Sequence, residues 1–308
     1  MLRRTQIVYV ETDFFFSPRG KVLHRFGEFL EKLARTQMPC VWMTAWTRAQ
    51  LDEPRRRLGQ NDPYIGENGC GVYLPEDYFH LKSGNTVRLG RYTCIPVAKP
   101  QPAAEKALEE LSADLDVSVV PLRKLSHREL SQNTGLPSKE ADLSRQRDFD
   151  ELFFFAGASE ADVARFRAEA KARGLAVESV GQFWSLSCGG NLAKCVKELG
   201  ALYDRALRSH ALRIGVRVGT PEGQTNTDEE RNPWPTSMFD RVLSLTERLS
   251  DSGEGTSASE SPEDSVPSDR NNLSNANRRV AAVRQNRFRL QAPDVWSAVM
   301  ASISPNSE

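Results

Sequence analysis

The amino-terminal part of the chain alternates short apolar runs with a segment of helical periodicity. Residues 7–10 and 41–43 are apolar runs of strand length, and residues 22–35 between them repeat apolar side chains at helical spacing. Short apolar strands separated by amphipathic helices predict a doubly wound α/β fold, with a parallel sheet covered on both faces. Such sheets bind ligands beyond the carboxyl ends of their strands, so residues 11–13 and 44–48 are candidates for a site.

The middle of the chain has a different pattern, which predicts an inserted α+β domain. The elements expected there are a strand at 87–97, a helix at 103–112, a strand at 117–122, two short helices within 126–147, a strand at 152–155, a helix at 160–173 and strands within 175–186. We therefore expect residues 1–85 and 188–308 to form a core, with residues 86–187 inserted in it. The later core elements expected are a helix at 191–207 and strands at 212–218 and 278–283.

Two polar stretches interrupt the second core segment. Residues 250–277 are rich in Ser, Glu, Asp, Asn, Gly and Pro and contain only two large aliphatic side chains, Val266 and Leu273. Such a stretch cannot bury enough apolar surface to offset the entropy of ordering it, which predicts a disordered insertion. Residues 220–235 combine Gly and Pro with an acidic run, a pattern that predicts a long loop.

Charge and cysteine usage exclude several classes of function. The 41 basic and 41 acidic residues balance, so the chain has no general attraction for nucleic acid or an anionic membrane. No apolar run approaches the length of about 18 residues that spans a bilayer. The five cysteines are odd in number and form no C-x-x-C pair, which argues against a disulfide framework or structural zinc and favours a cytoplasmic setting. Whether the chain has a protein partner is left open.

Two acidic residues, Glu11 and Asp13, follow the first predicted strand. Residues two apart in an extended chain point to the same side, so both carboxyl groups could face one crevice. There they could bind Mg²⁺, or one could attack phosphorus while the other transfers a proton. The alternative is that both are solvated acids in a loop.

Five stretches distributed over the chain match motifs of one known family. They are residues 7–17, 43–49, 65–75 with Glu67-Asn68-Gly69, 134–151, and 292–299 with Trp296. On these residues the chain resembles the mannosyl-3-phosphoglycerate phosphatases of the haloacid dehalogenase (HAD) superfamily. The likeness covers nearly all of the chain outside the two polar stretches.

The resemblance implies both a fold and a reaction. The fold is a HAD-like doubly wound parallel-sheet core with an inserted α+β cap. The reaction is Mg²⁺-dependent hydrolysis of a phosphorylated sugar acid, mannosyl-3-phosphoglycerate or a relative, to mannosylglycerate and phosphate. Glu11 then occupies the position of the nucleophile, Asp13 that of the general acid and base, and Thr44 that of the hydroxyl that holds the phosphate. The metal ligands implied are Glu11, Asp13 and Asp240.

The chain departs from the family pattern at residues that matter for catalysis. Glu11 replaces an aspartate, and its extra methylene moves the attacking oxygen by roughly 1 Å, a displacement that can slow a reaction considerably. Phe14 and Phe15 replace a Gly-Thr pair, which crowds a turn where glycine lets the backbone approach phosphate. Leu192 replaces the family's lysine, and helix geometry turns Lys194, the nearest substitute, roughly 200° away.

The fourth motif of the family, which supplies carboxylates to Mg²⁺, has no close counterpart. The nearest likeness is residues 236–243, in which Asp240 stands for the last carboxylate and Thr236 for the first. The acidic run at 228–230 is an alternative source of oxygen ligands, although a charged run is usually a solvated surface.

The inserted domain contains candidates for contact with the sugar acid. Arginine offers a bidentate fork to a carboxylate, so Arg147, with Glu151 nearby, could bind the acid and the sugar hydroxyls. The alternative is that these charges form salt bridges at a helix end. The predicted substrate-binding residues are Arg147, Glu151 and Lys194.

Several altered positions together support a second hypothesis. Catalytic residues act as a unit, so the chain could be a non-catalytic HAD-fold protein that binds a phosphosugar or regulates a partner. A third hypothesis is a hydrolase adapted to another substrate or metal. The aromatic residues Trp42 and Phe14 to Phe16 are expected to lie in the core.

Overall fold

The computed structural model describes residues 5–17, 21–80, 84–181, 183–219, 234–246, 284–290 and 292–303. The predicted disordered insertion at 250–277, the predicted strand at 278–283 and all but the last two residues of the predicted loop at 220–235 lie outside the described residues.

The described residues contain thirteen strands. They are β1 (Gln6–Glu11), β2 (Cys40–Met43), β3 (Tyr64–Gly66), β4 (Gly71–Pro75), β5 (Val87–Leu89), β6 (Tyr92–Pro96), β7 (Val119–Pro121), β8 (Glu151–Phe155), β9 (Ala176–Val180), β10 (Phe183–Ser187), β11 (Leu212–Gly219), β12 (Arg241–Thr246) and β13 (Arg284–Arg289). Nine of them form one large sheet in the order β13-β12-β11-β1-β2-β3-β4-β6-β5. The six strands from β13 to β3 are parallel, and β1 lies between β11 and β2. The end of β1 is therefore in the middle of the sheet.

Eight helices accompany these strands in the described ranges. They are α1 (Phe26–Arg35), α2 (Arg48–Arg57), α3 (Gln101–Leu115), α4 (His127–Thr134), α5 (Ser138–Ser144), α6 (Glu160–Ala172), α7 (Leu192–Leu207) and α8 (Val295–Ile303). None of the helices in this part of the chain is long and apolar enough to cross a membrane.

Helices cover both faces of the large sheet. Because strand side chains alternate, β1 sends Val8 and Val10 into one core and Ile7 and Tyr9 into the other. The first core contains apolar residues of α1, α2 and α8, and the second contains those of α7. The doubly wound fold predicted from the alternating pattern is confirmed.

The hairpin of β5 and β6 lies elsewhere than the sequence predicts. A domain boundary at residue 86 would place the extended stretch 87–97 in the inserted cap. In the structure β6 pairs with β4 and β5 pairs with β6, so both strands extend the large sheet. Tyr92 and Cys94 are buried in the core of that sheet, which explains the choice of partner. The cap therefore begins after Pro96.

The cap is an antiparallel sheet with helices. Its four strands pair in the order β7-β8-β10-β9, and α3 and α6 pack on the sheet around Phe153 and Phe166. Helices α4 and α5 are separated at Gly135, as the sequence predicts. The two chain segments that join cap and core meet where the Lys99 N–H donates to the Cys188 carbonyl at 3.0 Å.

Candidate active site

Asp13 is held by a hydrogen-bond network at the carboxyl ends of β1 and β2. Its carboxyl group accepts a hydrogen bond from the Thr44 hydroxyl and another of 2.9 Å from the Ala45 N–H. The Thr44 oxygen in turn accepts the Trp46 N–H at 3.0 Å. Because each Asp13 oxygen has a donor, the orientation of the carboxyl group is fixed. Asp13 and Thr44, two of the predicted catalytic residues, are therefore in contact.

The surroundings of Asp13 act on its pKa in opposite directions. Burial raises the pKa of the carboxyl group above its ordinary value, whereas the hydrogen bonds from Thr44 and Ala45 and the charge of Arg147 lower it. The net shift is upward. A carboxyl group balanced in this way is suited to release a proton in one step and take one up in the next.

Glu11 ends β1, two residues before Asp13. Its carboxyl group accepts a hydrogen bond from the backbone N–H of Val218 at the end of β11. Removal from water, with a further contribution from the negative charge of Asp13, raises the pKa of Glu11 to about 7, and the Arg217 guanidinium opposes that shift. The structure thus groups all three predicted catalytic residues at one edge of the sheet.

Arg217 is a cation beside Glu11 that the sequence does not single out. Val10 of β1 pairs with Val216 of β11, so Glu11 and Arg217 follow at the same level on adjacent strands. The Arg217 guanidinium carbon lies 5.9 Å from the ring centroid of Trp234. Trp234 packs in the same core as Tyr9, two residues before Glu11, so Arg217 and Glu11 share one face of the sheet.

Arg147 reaches the site from the cap, although its fork is already engaged. Its guanidinium group donates two hydrogen bonds to Asp150 and one of 2.9 Å to the Ala45 carbonyl. The side chain is 3 % exposed. Desolvation favours loss of the proton, but the carboxylates of Asp150 and Glu67 outweigh it and raise the pKa of Arg147. Arg147 thus forms the salt bridge that one of the two hypotheses predicts, and it also lies beside the site, as the other requires.

Glu67 connects the core to the segment that contains Arg147. Its carboxyl group accepts the N–H groups of Asp148 and Phe149 at 2.9 Å and of Asp150 at 3.2 Å. Burial and the neighbouring Asp150 carboxylate raise the pKa of Glu67, against the opposing charge of Arg147. We call residues 143–150 the docking segment, because in the described part of the chain this stretch of the cap makes most of the side-chain polar contacts with the core.

Three further contacts hold the docking segment, one at Leu143 and two at Asp148. The Thr47 hydroxyl donates to the Leu143 carbonyl at 3.0 Å. Arg48 forms an ion pair of 3.2 Å with Asp148, which also accepts the Tyr73 hydroxyl at 3.0 Å. The cap is thus fastened to the core directly beside Asp13.

Glu151, predicted to bind substrate, is directed into the cap. Its carboxyl group accepts a hydrogen bond from Gln101 and forms an ion pair of 3.2 Å with Arg123. Burial raises the pKa of Glu151 to about 7, and Arg123 opposes that shift. Strand alternation explains this, because consecutive residues at the start of β8 point to opposite faces and Asp150 is the one bound to Arg147. The prediction for Glu151 is therefore wrong.

Neither Lys194 nor Leu192 supplies the missing lysine. Leu192 packs against the apolar core that contains Ile7 and Tyr9, so an aliphatic side chain suits that position. Lys194 is exposed and lines a separate cleft with residues of the β5–β6 hairpin and Lys99. The prediction that Lys194 binds substrate at the Glu11 site is not supported by this placement.

Asp240 lies at the amino end of the parallel strands, whereas Glu11 lies at their carboxyl end. It accepts the Arg213 N–H at 2.8 Å and donates its own N–H to the Arg213 carbonyl at the same distance. Arg213 pairs with Ile7, four residues before Glu11, which is about 13 Å along the strand. Because β11 and β12 are parallel, the chain must return to this edge before β12 begins. The prediction of Asp240 as a metal ligand is wrong.

At the carboxyl end of β1 the described residues supply only two carboxyl groups to a metal, those of Glu11 and Asp13. No group of three or more His, Cys, Asp or Glu side chains able to hold a metal occurs in the described part of the chain. The alternative acids at 228–230 lie outside it. Mg²⁺ often binds through one or two carboxylates and completes its shell with water and substrate phosphate, so Glu11 and Asp13 fit a Mg²⁺ ion by donor type.

The aromatic residues after Asp13 divide between core and surface. Phe15 and Phe16 are buried with Trp42, as predicted. Phe14 is 50 % exposed, so its predicted place in the core is wrong. Asp13 begins a short 3₁₀ turn, in which successive side chains point about 120° apart, so Phe14 points to solvent while Phe15 is buried.

Sequence comparison finds phosphatases among curated proteins. A "glucosyl-3-phosphoglycerate/mannosyl-3-phosphoglycerate phosphatase" of Methanococcoides burtonii is 25% identical over 174 residues, which are 56% of this chain and 64% of that protein. A "mannosyl-3-phosphoglycerate phosphatase" of Pyrococcus furiosus is 25% identical over 188 residues, 60% of this chain and 74% of that protein. This chain therefore spans somewhat less than two thirds of the first relative and about three quarters of the second. No protein-family model matches the chain.

Structure comparison supports the fold. The crystal structure of SMU.1108c from Streptococcus mutans aligns with a TM-score of 0.51 at 12% identity, covering 97% of this chain and 99% of that one. The large parallel sheet, the inserted cap and the carboxyl pair at the end of β1 define a HAD-type α/β protein. The chain has the fold of the HAD superfamily, and the curated relatives to which it is similar are named mannosyl-3-phosphoglycerate phosphatases. The predicted resemblance and the predicted fold class are confirmed.

The structure adds residues that the sequence does not identify as functional. Glu67 lies in one of the stretches that carry the family resemblance, but nothing local shows that its carboxylate is buried. Arg217 is part of a strand pattern and becomes notable only when β11 pairs with β1. A signal available for Glu67 is a charged residue directly after the short apolar strand β3 and before Asn68-Gly69, a turn pattern.

Proposed function

We propose that the chain hydrolyses the phosphate monoester of a phosphorylated sugar acid, with Mg²⁺ bound, at the carboxyl end of β1. The observation that supports this most is the Asp13 carboxyl group, fixed by Thr44 and the Ala45 N–H two residues after Glu11. The names of the curated relatives suggest mannosyl-3-phosphoglycerate or its glucosyl analogue as substrate.

In the first step a carboxylate oxygen of Glu11 attacks phosphorus. The bond from phosphorus to the C3 oxygen of the glycerate breaks, and that oxygen takes the proton from Asp13. The phosphoryl group is then an acyl phosphate on Glu11, and mannosylglycerate or glucosylglycerate is released. The raised pKa of Asp13 favours the protonated form that this step requires.

In the second step a water molecule attacks the phosphoryl group on Glu11. Asp13, now ionised, takes a proton from that water, and the bond between phosphorus and the Glu11 oxygen breaks. Inorganic phosphate leaves and both carboxyl groups return to their starting states. The Thr44 hydroxyl is placed to orient Asp13 in both steps.

Cations next to the carboxyl pair lower the cost of bringing a phosphate to two acids. Arg217 lies beside Glu11 and Arg147 acts on Asp13. A bound Mg²⁺ would be held by Glu11 and Asp13 and would neutralise charge on the phosphoryl oxygens. We infer that Arg217 provides the charge that the family's lysine provides at the position of Leu192.

A second function is favoured by the placement of Leu192 and Asp240. Leu192 puts an aliphatic side chain where the family has its lysine, and the Asp240 carboxylate lies at the amino end of the strands, away from Glu11. A chain with these two changes could bind a phosphosugar without hydrolysing it, or regulate a partner. The five cysteines are free, as expected for a reducing cytoplasm, which is the setting we propose for either function.

Phosphate release distinguishes the two functions. Wild type and the variants Glu11→Asp and Glu11→Gln are incubated with mannosyl- and glucosyl-3-phosphoglycerate and other sugar phosphates, with Mg²⁺ or with EDTA. The proposal expects release by wild type that EDTA abolishes. Saturable binding of these compounds by calorimetry without any release, from wild type or from Glu11→Asp, would favour the second function and contradict the first.

A further inference from the structure

The turn Glu67-Asn68-Gly69 contains a buried carboxylate that no step of the proposed reaction uses. Glu67 has no exposed surface. The three residues have φ angles of 50°, 53° and 84°, all in the left-handed region. Two consecutive non-glycine residues in that region are uncommon, and strain of this kind is concentrated at functional sites.

The turn is attached to the core at the residues that hold Asp13. The Asn68 N–H donates to the Thr44 carbonyl at 3.1 Å, and the Thr44 N–H donates to the Ile65 carbonyl at the same distance. A side chain at Gly69 would come within 2.5 Å of the backbone of Leu192, so only glycine allows the start of α7 to approach this closely. The turn is thus fixed to β2 and to α7.

The other end of the Glu67 side chain holds the docking segment of the cap. Its oxygens accept three consecutive N–H groups, those of residues 148, 149 and 150. These donors would otherwise be partly or fully buried without partners, which is costly. The carboxylate therefore determines where the backbone that follows Arg147 lies.

The position of that backbone determines the position of the Arg147 guanidinium. Arg147 directly precedes the three held residues, and its fork is fixed further by Asp150, which also accepts the Ser185 hydroxyl. From there Arg147 donates to the Ala45 carbonyl, while the N–H of the same residue donates to Asp13. Two backbone groups of Ala45 thus connect the cap arginine with the proposed acid and base.

We propose that Glu67 is a positioning residue that holds the docking segment so that the Arg147 guanidinium stays beside Asp13. The proposal rests on the function proposed above for Asp13. Glu67 does not touch the reacting atoms in this arrangement, and it acts through the backbone of residues 148–150 and through Arg147.

The test uses the full-length chain and the variant Glu67→Gln. Glutamine has nearly the same shape, but one oxygen becomes an NH₂ group, which faces an N–H donor and cannot accept it. The matched control is Glu76→Gln, because Glu76 is an exposed glutamate of the core whose ion pair with Arg88 lies on the surface. The measurements are kcat and KM for phosphate release, and hydrogen exchange of the amides of residues 143–150.

In Glu67→Gln we expect kcat to fall by roughly 100-fold per folded molecule, since a displacement of about 1 Å can cost that much. The loss falls on kcat while KM changes little, because Glu67 makes no contact with the substrate in this arrangement. Amide exchange at 148–150 becomes faster while Glu76→Gln matches wild type. A merely structural role would reduce the folded fraction and leave kcat per folded molecule unchanged.

Wild-type kcat and wild-type amide exchange in a folded Glu67→Gln variant would overturn the proposal. If wild type releases no phosphate, the proposed function fails, and the exchange of residues 148–150 alone decides whether Glu67 holds the docking segment. If Glu67→Gln does not fold, Arg147→Met replaces it, because it leaves Glu67 intact and removes the last member of the connection. An unchanged kcat in folded Arg147→Met would then contradict the role of Glu67.

Discussion

The carboxyl edge of the sheet, where the parallel strands end, has two halves that differ in how many residues of the HAD phosphatase motifs they retain. On the side of β1 and β2, Asp13 is fixed by Thr44 and Ala45 and lies against the docking segment. On the side of β11 and α7, Leu192 packs in the apolar core and Asp240 lies at the far edge.

The difference follows from what each residue does for the fold. Thr44 faces the site and also holds the Trp46 N–H, and Glu67 holds the backbone of the docking segment, so replacing either would leave buried donors unpaired. The position of Leu192 only requires a side chain that covers the second core. A charge at that place contributes nothing to folding, and Arg217 on the adjacent strand can provide one by another route.

The largest expected effect is on the first half of the edge. Asp13→Asn should lower kcat by roughly 10² to 10⁴-fold, because asparagine cannot transfer the proton to the leaving oxygen. Phosphate release and a thermal melt measure this, with Asp114→Asn, an exposed change in the cap, as the control. If Asp13→Asn retained its turnover, the residues at the ends of β1 and β2 would not be the catalytic ones.

Arg217→Ala tests the second half of the edge. Loss of a cation beside the attacking carboxylate should lower kcat by roughly 100-fold, whereas Lys194→Ala should leave it unchanged. The double variant Arg217→Ala with Leu192→Lys, which restores the family's lysine, should recover part of the rate. If Lys194→Ala is the impaired variant, Lys194 rather than Arg217 replaces the family's lysine.

The pH dependence of wild type sharpens the role of Glu11. Glu11 must be ionised to attack, and its pKa is about 7, so kcat/KM should rise about tenfold for each pH unit below that value and then level off. Arg217 lowers this pKa, so the rising limb in Arg217→Ala should lie at higher pH than in wild type. If the rising limb lay at the same pH in both proteins, the charge of Arg217 would have no effect on the ionisation of Glu11.

The smallest expected effect is at Asp240. Asp240→Asn keeps an oxygen that can accept the Arg213 N–H, so the free energy of unfolding should change by about 0.5 kcal/mol or less. The Mg²⁺ concentration that gives half-maximal phosphate release should not change. A clear increase in that concentration would place residue 240 at the metal and contradict the described topology.

Periodicity predicts much of the fold because it depends on local sequence. The strand at 7–10, the helix at 191–207 and the break between α4 and α5 at Gly135 all follow from spacing and breaker residues. The choice of partner is not local. Residues 87–96 have a strand pattern, but only the burial of Tyr92 and Cys94 assigns them to the large sheet.

The site is less predictable for the same reason. Glu11, Asp13 and Thr44 follow strand ends, so their grouping can be predicted from a parallel sheet. Asp240 follows a different rule, because parallel pairing of β11 and β12 forces the chain back to the other edge. The contacts of Glu67 join residues about eighty positions apart, and no local pattern contains them.

The central claim is that Glu11 is the attacking group at the end of β1. It is tested most directly by phosphate release from mannosyl-3-phosphoglycerate in the presence of Mg²⁺, with wild type and Glu11→Gln compared at pH 8, where Glu11 is ionised. We expect steady release by wild type and none above background by a folded Glu11→Gln variant. Equal release by the two proteins would contradict it.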